Sequence, residues 1–306
     1  MKQLDFIIIG AQKSATTSLF KYMQPYPKIY MPSDKEAPFF SSDNLYSAGW
    51  EAFAGSHFSG AEEGQLWGTA TPQYMGNRDV PKRIHDMMPN TRLIALLRNP
   101  VERSFSHYTM AVRRGFDERS FDQAVDDLCH KDALNAARAT MPVLEEGRTN
   151  EDESGHYVVW SEYGRILQEF LNYFPKEQLL VLFMDEMANE PEATYLKVLD
   201  FIGIKEDHVP KNVGKVYHKG GAKQIIPDSW RTAFKTNGLF RLLWDLVPER
   251  IRQNIRYWYD QKNVKKGSGD QGPSDQARAK LQQHFADDVK QLESIIGRQV
   301  PWTEFH

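Results

Sequence analysis

The stretch that decides the fold is FIIIGAQKSATTS, residues 6–18. The run from Leu4 to Ile9 is short, β-branched and almost entirely apolar, which predicts a buried strand of a parallel sheet. Gly10 ends the run, and a helix is expected from Thr16 to Gln24. A turn between such a strand and helix directs backbone N–H groups and the positive end of the helix at whatever lies above the sheet. The stretch therefore predicts an anion-binding turn.

Two further strands are expected along the chain. The apolar run Leu93–Leu97 is followed by Arg98 and by Pro100, a residue suited to the first turn of a helix, and that helix would continue to Gly115. A third strand, Leu179–Met184, follows a helix with one apolar stripe, formed by Tyr163, Ile166, Leu167, Phe170, Leu171 and Phe174. Strands that alternate with helices predict an α/β, P-loop-like three-layer fold, with a central, mostly parallel sheet flanked by helices.

The composition narrows the class of protein. A net charge of −3 over 306 residues argues against nucleic-acid binding, which usually needs a strongly basic face. The single cysteine, Cys129, excludes an intramolecular disulfide and is expected to be a small, partly buried side chain. No apolar run approaches the length of a membrane span, so we expect a soluble, cytoplasmic protein that does not interact with a membrane.

Neither polar stretch of the chain separates two self-sufficient units. Residues 145–156 (EEGRTNEDESGH) are expected to form an exposed loop, and residues 262–275 (KNVKKGSGDQGPSD) a connector. Ser274 would then cap a closing helix. We therefore expect one domain over residues 1–306, whereas the sequence does not indicate an oligomeric state.

The turn after the first strand carries one cation and several hydroxyl groups. The predicted ligands of an anion are Lys13, Ser14, Ala15, Thr16, Thr17 and Ser18. The turn is not a Walker A loop, because the lysine comes only three residues after Gly10 and Arg98 stands where an acidic magnesium ligand is expected. Since a sulfuryl group carries less negative charge than a phosphoryl group, a lysine and backbone dipoles can stabilise its transfer without a metal.

A second anion site is predicted beside the first. Arg98 ends the second strand, and Ser106 lies two helical turns into the next helix. Two anion sites on neighbouring strands suit a nucleotide that is phosphorylated at both its 3′ and 5′ positions.

With both motifs in place, the sequence resembles the sulfotransferases that use 3′-phosphoadenosine 5′-phosphosulfate (PAPS). It is more similar to their heparan-sulfate and bacterial carbohydrate branch than to the branch that acts on steroids and phenols. The turn Gly10–Thr17 resembles the 5′-phosphosulfate loop of this family, with Ala15 where a glycine is usual. Arg98 and Ser106 match the family's 3′-phosphate ligands in type and spacing.

Three weaker motifs extend the resemblance. Lys35–Phe40 (KEAPFF) resembles the segment whose glutamate, here Glu36, serves as the acceptor's base. Thr71, Pro72 and Tyr74 belong to a Thr-Pro-x-Tyr segment that lines the acceptor cleft in the family. The run Tyr217–Gly221 resembles a loop that closes over the nucleotide, which implies that His218 is near the acceptor and that three further residues bind the nucleotide: Lys219, Gly220 and Gly221. The closing segment, with Ile295–Arg298 and Trp302, also looks like the family's C-terminus.

The resemblance implies an enzyme that transfers a sulfuryl group from PAPS to a hydroxyl or amine, releases PAP (adenosine 3′,5′-bisphosphate) and needs no metal. Lys13 would stabilise the developing charge, and Glu36, with its pKa raised by partial burial, would accept the proton. His85, His107 and His218 are rival bases, of which His218 is the best placed. Ala70 stands where polysaccharide-modifying members often carry a lysine, which favours a small carbohydrate or natural-product acceptor.

Several alternatives stay open at this point. A P-loop nucleotide kinase or NTPase would require magnesium, and a non-catalytic nucleotide-binding protein would have no use for Lys13. Residues 145–156 would be a lid over the acceptor or an inert loop. Among side chains near the motifs, Tyr163 is expected in the core and Trp160 in the core or against adenine. A solvated helix face is expected for three arginines, of which Arg103 is the one that could assist the nucleotide: Arg103, Arg113 and Arg114.

Overall fold

The structure, a computed structural model, describes residues 2–33, 35–140, 152–205, 208–217 and 272–306. It also gives the backbone of two short paired strands, β6 (Lys223–Gln224) and β7 (Val264–Lys265). His218, Lys219, Gly220 and Gly221 lie outside the described residues, and so do residues 145–151 of the predicted lid.

A five-stranded parallel sheet forms the centre of the molecule. Its strands lie in the order β2-β3-β1-β4-β5, and every pair of neighbours is parallel. In chain order they are β1 (Phe6–Gly10), β2 (Ile29–Tyr30), β3 (Leu66–Ala70), β4 (Arg92–Leu97) and β5 (Leu179–Phe183). The three strands predicted from apolar runs are confirmed, although β5 ends one residue earlier because Met184 begins a helix.

Eleven α-helices surround the sheet among the described residues. Before β4 lie α1 (Thr16–Met23), α2 (Asp43–Ala48), α3 (Trp50–His57) and α4 (Val80–Met87). Between β4 and β5 lie α5 (Pro100–Arg114), α6 (Phe121–Leu128), α7 (Lys131–Ala139) and α8 (Tyr163–Leu171). After β5 come α9 (Met184–Asn189), α10 (Pro191–Phe201) and α11 (Asp275–Ile296). Short 3₁₀ helices add η1 (Pro72–Gly76), η2 (Val159–Ser161), η3 (Lys176–Gln178) and η4 (Thr303–Phe305).

Successive side chains of β1 point into two different cores, because the side chains of a strand alternate between its faces. Ile7 and Ile9 pack in a core with residues of α8 and α11. Phe6 and Ile8 pack in a second core with residues of α1 and α10. Strands buried on both faces read as continuous apolar runs, and this arrangement confirms the predicted three-layer α/β fold.

The closing helix α11 is anchored at its N-terminus and against α8. Ser274 caps α11 by accepting a hydrogen bond from the N–H of Ala277 (3.1 Å), as predicted. Asp288 accepts hydrogen bonds from the N–H groups of Gly164 (2.9 Å) and Arg165 (2.8 Å), and thereby caps the N-terminus of α8. A Cβ at Gly164 would come within 2.3 Å of the Asp288 carbonyl oxygen, so glycine allows the two helices to approach closely.

Three predictions about burial have different outcomes. Tyr163 lies in the core, as expected, and Cys129 is half-buried, which raises the pKa of its thiol to about 11. The exposed loop expected over residues 145–156 is wrong for Glu153 and His156, which are only 4% and 8% exposed. Within the described part of the chain, no helix is long and apolar enough to cross a membrane.

Candidate active site

The two predicted anion sites meet at one edge of the sheet. β1 and β4 are adjacent and parallel, so the turn after Gly10 and the residues after Leu97 lie side by side. In the sheet, β3 and β2 lie on one side of β1, and β4 and β5 lie on its other side. Such a reversal of strand order opens a crevice at the carboxyl ends of the strands, where ligands of α/β proteins bind.

The turn after β1 contains two non-glycine residues in the left-handed region. Lys13 has a φ of 72° and Ala15 has a φ of 64°. The carbonyl oxygen of Ala15 accepts hydrogen bonds from the N–H groups of Ser18 (2.9 Å) and Leu19 (3.3 Å), which starts α1. Left-handed backbone costs a residue with a Cβ about 1–2 kcal/mol. The turn therefore holds Lys13 and Ala15 in a conformation that the surrounding structure must enforce.

Lys13 lies in a cluster of cations. Its side chain is half-buried, and Nζ lies 3.8 Å from the Sδ of Met110 on α5. Burial lowers the pKa of Lys13 to about 7, helped by the positive charges of Arg113 and Arg114 and, to a smaller degree, of Arg98 and Arg103. Like charges gathered in this way repel one another, and an anion bound among them would relieve that repulsion.

Arg98 follows β4 at the same edge of the sheet. One Nη of Arg98 lies 3.7 Å from a carboxylate oxygen of Glu102, whose other oxygen is bonded to Arg278 at 2.7 Å. The ion pair between Arg98 and Glu102 is therefore near the limit of length for such a contact. Ser106 is half-buried on α5, two helical turns further along. The hydroxyl of Tyr163 donates to the carbonyl oxygen of Arg98 (2.9 Å) and fixes the backbone at this point.

Arg103 does not lie on a solvated helix face, so that expectation is wrong. The side chain is fully buried and donates to the Oγ of Ser161 (2.6 Å) and the carbonyl oxygen of Tyr157 (2.8 Å). It also donates to the carbonyl oxygen of Gln12 (3.4 Å), within the turn after β1. The sequence did not reveal this role, because Ser161, Tyr157 and Gln12 lie more than 50 residues away from Arg103 along the chain.

His107 joins Arg103 to a buried carboxylate. Its Nε2 lies 3.0 Å from the Oε2 of Glu153, and its Nδ1 lies 3.2 Å from Arg103. A carboxylate only accepts and a guanidinium only donates, so His107 carries its proton on Nε2. Burial lowers the pKa of His107 to about 4. Since both ring nitrogens are engaged and the side chain is fully buried, His107 is not a base for an acceptor in this structure.

Glu153 completes a network that the sequence did not indicate. Its Oε2 also accepts a hydrogen bond from the side-chain amide of Gln12 (2.8 Å). Burial raises the pKa of Glu153, but the hydrogen bonds from His107 and Gln12 and the positive charge of Arg114 hold it below its usual range. One chain of hydrogen bonds thus joins Gln12 in the turn after β1, Glu153 in the segment before η2 and His107 on α5.

Glu36 is exposed, so the expectation that this residue is partly buried is wrong. One carboxylate oxygen lies 3.2 Å from the Nζ of Lys35, and the other accepts from the side-chain amide of Gln73 (3.4 Å). A role as base is compatible with this position, because the carboxylate remains accessible to an acceptor. That role stays a prediction.

Thr71 and Tyr74 hold the segment that carries Glu36. The hydroxyl of Thr71 accepts from the N–H of Ala37 (3.1 Å) and donates to its carbonyl oxygen (2.9 Å). The hydroxyl of Tyr74 accepts from the N–H of Phe40 (3.2 Å). Pro72 begins η1 and is buried. The structure gives Thr71 and Tyr74 a positioning role, whereas contact of these three residues with an acceptor stays a prediction.

Ser18 connects α1 to the start of the predicted glycine loop. Its Oγ accepts from the N–H of Tyr217 (3.2 Å), and the nearby hydroxyl of Tyr22 donates to the carbonyl oxygen of Lys215 (2.8 Å). Tyr217 therefore lies beside α1, the helix that follows the turn after β1. Whether Ser18 also contacts a nucleotide stays a prediction, as it does for Ser14, Thr16 and Thr17.

Two other aromatic side chains lie against the core rather than open to the crevice. Trp160 stacks on His107, with ring centroids 5.3 Å apart, and is 5% exposed. His85, the third rival base, packs on α4 against Phe174, with centroids 5.6 Å apart. The core interpretation of Trp160 is confirmed.

The comparisons with known proteins agree with this architecture. The family model described as "Sulfotransferase domain" matches residues 3–219. The membrane-associated sulfotransferase kil1 of Dictyostelium discoideum is 26% identical and is matched over 68% of this chain and 59% of its own length. The human heparan sulfate glucosamine 3-O-sulfotransferase 6 is 29% identical and is matched over 65% of this chain and 52% of its own length. This chain thus spans between half and three fifths of these relatives.

A solved structure is similar over the whole chain. The crystal structure of a sulfotransferase from Alicyclobacillus acidocaldarius superimposes with a TM-score of 0.64 at 22% identity, and covers 98% of both chains. At this identity the likeness supports the fold. The chain's cellular location stays a prediction, and one of the relatives above is described as membrane-associated.

Proposed function

The chain belongs to the sulfotransferase domain family, and from that premise we propose that it transfers a sulfuryl group from PAPS to a hydroxyl or amine of a carbohydrate or another small acceptor. The observation that carries the proposal is the cation cluster at the ends of β1 and β4, with Lys13 in the turn and Arg98 after the neighbouring strand. The kinase interpretation is not favoured by the family match.

The chain's residues fit a nucleotide that carries two separated anionic groups. Backbone N–H groups at the start of α1 and the Lys13 ammonium would hold the 5′-phosphosulfate. Arg98 and Ser106 would hold the 3′-phosphate, since a guanidinium suits the geometry of phosphate oxygens. The two sets lie on adjacent strands, so a single nucleotide can reach both.

In the proposed reaction, the acceptor's oxygen or nitrogen forms a bond to sulfur while the bond between sulfur and the bridging oxygen of the donor breaks in line. Lys13 stabilises the negative charge that develops on the leaving PAP. Glu36 accepts the proton that the acceptor loses, since its exposed carboxylate is held in place by Lys35 and Gln73. Charge stabilisation by Lys13 and the dipoles of α1 supports transfer without a metal.

The proposal of a carbohydrate acceptor is supported by the names of the relatives. The human and mouse relatives act, by their names, on glucosamine residues of heparan sulfate, which supports a carbohydrate acceptor here. Ala70 and the net charge of −3 favour a small acceptor over a long polyanion.

The decisive experiment compares binding of PAP with binding of AMP, which lacks the 3′-phosphate. In Arg98→Ala, we expect the affinity for PAP to fall by about 10- to 100-fold, because a charged hydrogen bond is lost, and the affinity for AMP to change little. Arg92→Ala is the control, since Arg92 lies at the opposite end of the same strand. Equal losses for the two nucleotides would remove Arg98 from the 3′-phosphate site. A screen of carbohydrate acceptors with ³⁵S-labelled PAPS then tests transfer itself.

A further inference from the structure

Tyr163 is a fully buried side chain that contacts the proposed 3′-phosphate ligand Arg98. Its hydroxyl donates a hydrogen bond to the carbonyl oxygen of Arg98 at 2.9 Å. A phenolic hydroxyl has one proton to donate, and its oxygen can also accept a hydrogen bond. The same oxygen atom can therefore serve a second partner.

That second partner is the hydroxyl of Ser14, in the turn after β1. Burial raises the pKa of Tyr163 to about 12, while the positive charge of Arg103 and the neighbouring Ser14 hydroxyl oppose this rise. The Oγ of Ser14 is enclosed by protein and has no other hydrogen-bond partner among the described residues. Since buried polar groups are nearly always hydrogen-bonded, the geometry favours donation from Ser14 to the Tyr163 oxygen. One oxygen atom thus lies between a residue of the turn and Arg98.

The backbone does not make this connection. The last backbone hydrogen bond between the two segments runs from the N–H of Ala11 to the carbonyl oxygen of Leu96 (2.8 Å). Beyond it, and within the part of the chain that the structure describes, no backbone hydrogen bond joins residues 12–18 to residues 97–106. Side chains must therefore set the distance between the turn and Arg98.

Tyr163 is itself held in place, as a residue that sets a distance must be. It is the first residue of α8, and Asp288 caps the N–H groups of the two residues that follow it. Its ring packs against Trp302, with ring centroids 6.1 Å apart. Both supports come from the C-terminal part of the chain, and neither belongs to the turn or to α5.

We propose that Tyr163 is a positioning residue that fixes the separation of the two anion sites, because one oxygen atom holds both Arg98 and the turn after β1. The inference rests on the proposed function, since it requires a nucleotide with both a 3′ and a 5′ anionic group. Such a nucleotide is bivalent, and the gain in affinity from its second group depends on two sites kept at the distance that the ligand spans. A nucleotide with one phosphate does not need that distance.

The test compares three nucleotides: PAP, AMP with its 5′-phosphate alone, and adenosine 3′-monophosphate (3′-AMP). Dissociation constants are measured by calorimetry for the wild type and for Tyr163→Phe, which lacks only the hydroxyl. We expect the affinity for PAP to fall about 5- to 10-fold in Tyr163→Phe, as for the loss of one hydrogen bond. The affinities for AMP and 3′-AMP should each change by less than about twofold, because each of these ligands uses one site.

Tyr108→Phe is the matched control. The hydroxyl of Tyr108, on α5, also donates to a backbone carbonyl oxygen, that of Arg119 (2.7 Å). This variant should bind all three nucleotides like the wild type. Ser14→Ala, added to Tyr163→Phe, should weaken PAP binding by less than about a further twofold, since the two hydroxyl groups act through one contact.

The outcomes separate this inference from the proposed function. A wild type that binds PAP no more tightly than AMP or 3′-AMP would overturn both. A wild-type preference for PAP that survives unchanged in Tyr163→Phe would overturn the inference alone, and so would equal losses for PAP and one of the monophosphates, because Tyr163 would then support a single site. If Tyr163→Phe does not fold, Ser14→Ala in the wild-type background tests the same contact and should show a loss for PAP that AMP does not share.

Discussion

At the scale of single residues, the low pKa of Lys13 predicts that this side chain takes up a proton when the nucleotide binds. With a pKa of about 7 in the free protein, Lys13 is largely neutral at pH 8. Bound phosphate groups favour the charged ammonium and raise this pKa, so binding at pH 8 should take up about one proton. The affinity for PAP should consequently fall by up to about tenfold per unit of pH above 7.

Calorimetry at pH 8 in buffers with different ionisation enthalpies measures this proton directly. Lys13→Met should bind PAP more weakly and without proton uptake, whereas Lys82→Met, altered at an exposed lysine on α4, should behave like the wild type. The second ionisation of a phosphate group, near pH 6, does not contribute at pH 8. Uptake that persists in Lys13→Met would assign the proton to another group.

The left-handed backbone at Ala15 predicts that a glycine at this position stabilises the protein. Ala15→Gly removes a steric cost of about 1–2 kcal/mol from the folded state. It also makes folding less favourable by about 0.5–1 kcal/mol, because glycine loses more chain entropy on folding than alanine does. The free energy of unfolding should therefore rise by about 0.5–1 kcal/mol, as measured by urea denaturation. Ala136→Gly is the matched control, because Ala136 is exposed in the middle of α7 and the same change there should destabilise the protein by about 1 kcal/mol.

At the scale of elements, the sequence predicted best what depends on neighbours along the chain. The run before Gly10 and the run before Arg98 predicted two strands to within two residues at each end, because a strand buried on both faces must be continuously apolar. The turn and the Ser274 cap were also predicted, because their hydrogen bonds join residues that are close along the chain. Strands β2 and β3 were not predicted. β2 has only two residues, and β3 contains a glycine.

What the sequence did not predict depends on contacts between distant segments. Arg103 resembles any other arginine of an amphipathic helix until its partners at Tyr157 and Ser161 are known. Glu153 stands in a polar run that is typical of an exposed loop, yet it is bonded to Gln12, 141 residues away. The candidate site was therefore located through its turn and its strand ends, while the groups that fix its geometry were missed.

The cap that Asp288 gives to α8 is another distant contact, and it predicts a cost in stability. In Asp288→Asn, one amide group would face a backbone N–H of Gly164 or Arg165, and two donors cannot bond to each other. The free energy of unfolding should fall by about 1–3 kcal/mol. Because burial raises the pKa of Asp288 to about 6, the comparison belongs at pH 8, where the wild-type carboxyl is ionised.

The neighbouring residue supplies the control for this substitution. Asp287 has a side chain that is 96% exposed on the same helix, so Asp287→Asn should change the free energy of unfolding by less than about 0.5 kcal/mol. Similar losses in the two variants would mean that the cap of α8 contributes little.

At the scale of the whole molecule, one buried ionic network connects three parts of the chain that the sequence separates. Gln12 belongs to the turn after β1, Arg103 and His107 to α5, and Glu153 to the segment before η2. The network contains one cation and one anion, with a neutral histidine between them. It fixes the turn that carries Lys13 relative to the helix that carries Ser106. The geometry of the candidate site is thus a property of the complete fold.

This connection predicts that Glu153→Gln is among the most destabilising single substitutions in the described part of the chain. Removing one partner leaves Arg103 buried without its counter-charge, which typically costs about 3–5 kcal/mol. Glu118→Gln, at an exposed carboxylate, should cost less than about 0.5 kcal/mol by the same urea denaturation. A double variant, Arg103→Met/Glu153→Leu, should recover much of the loss, because apolar side chains leave no buried charge unpaired. That recovery should not extend to the affinity for PAP, since Gln12 loses both of its partners and the turn is no longer fixed. A double variant that binds PAP like the wild type would show that the network stabilises the fold without positioning the turn.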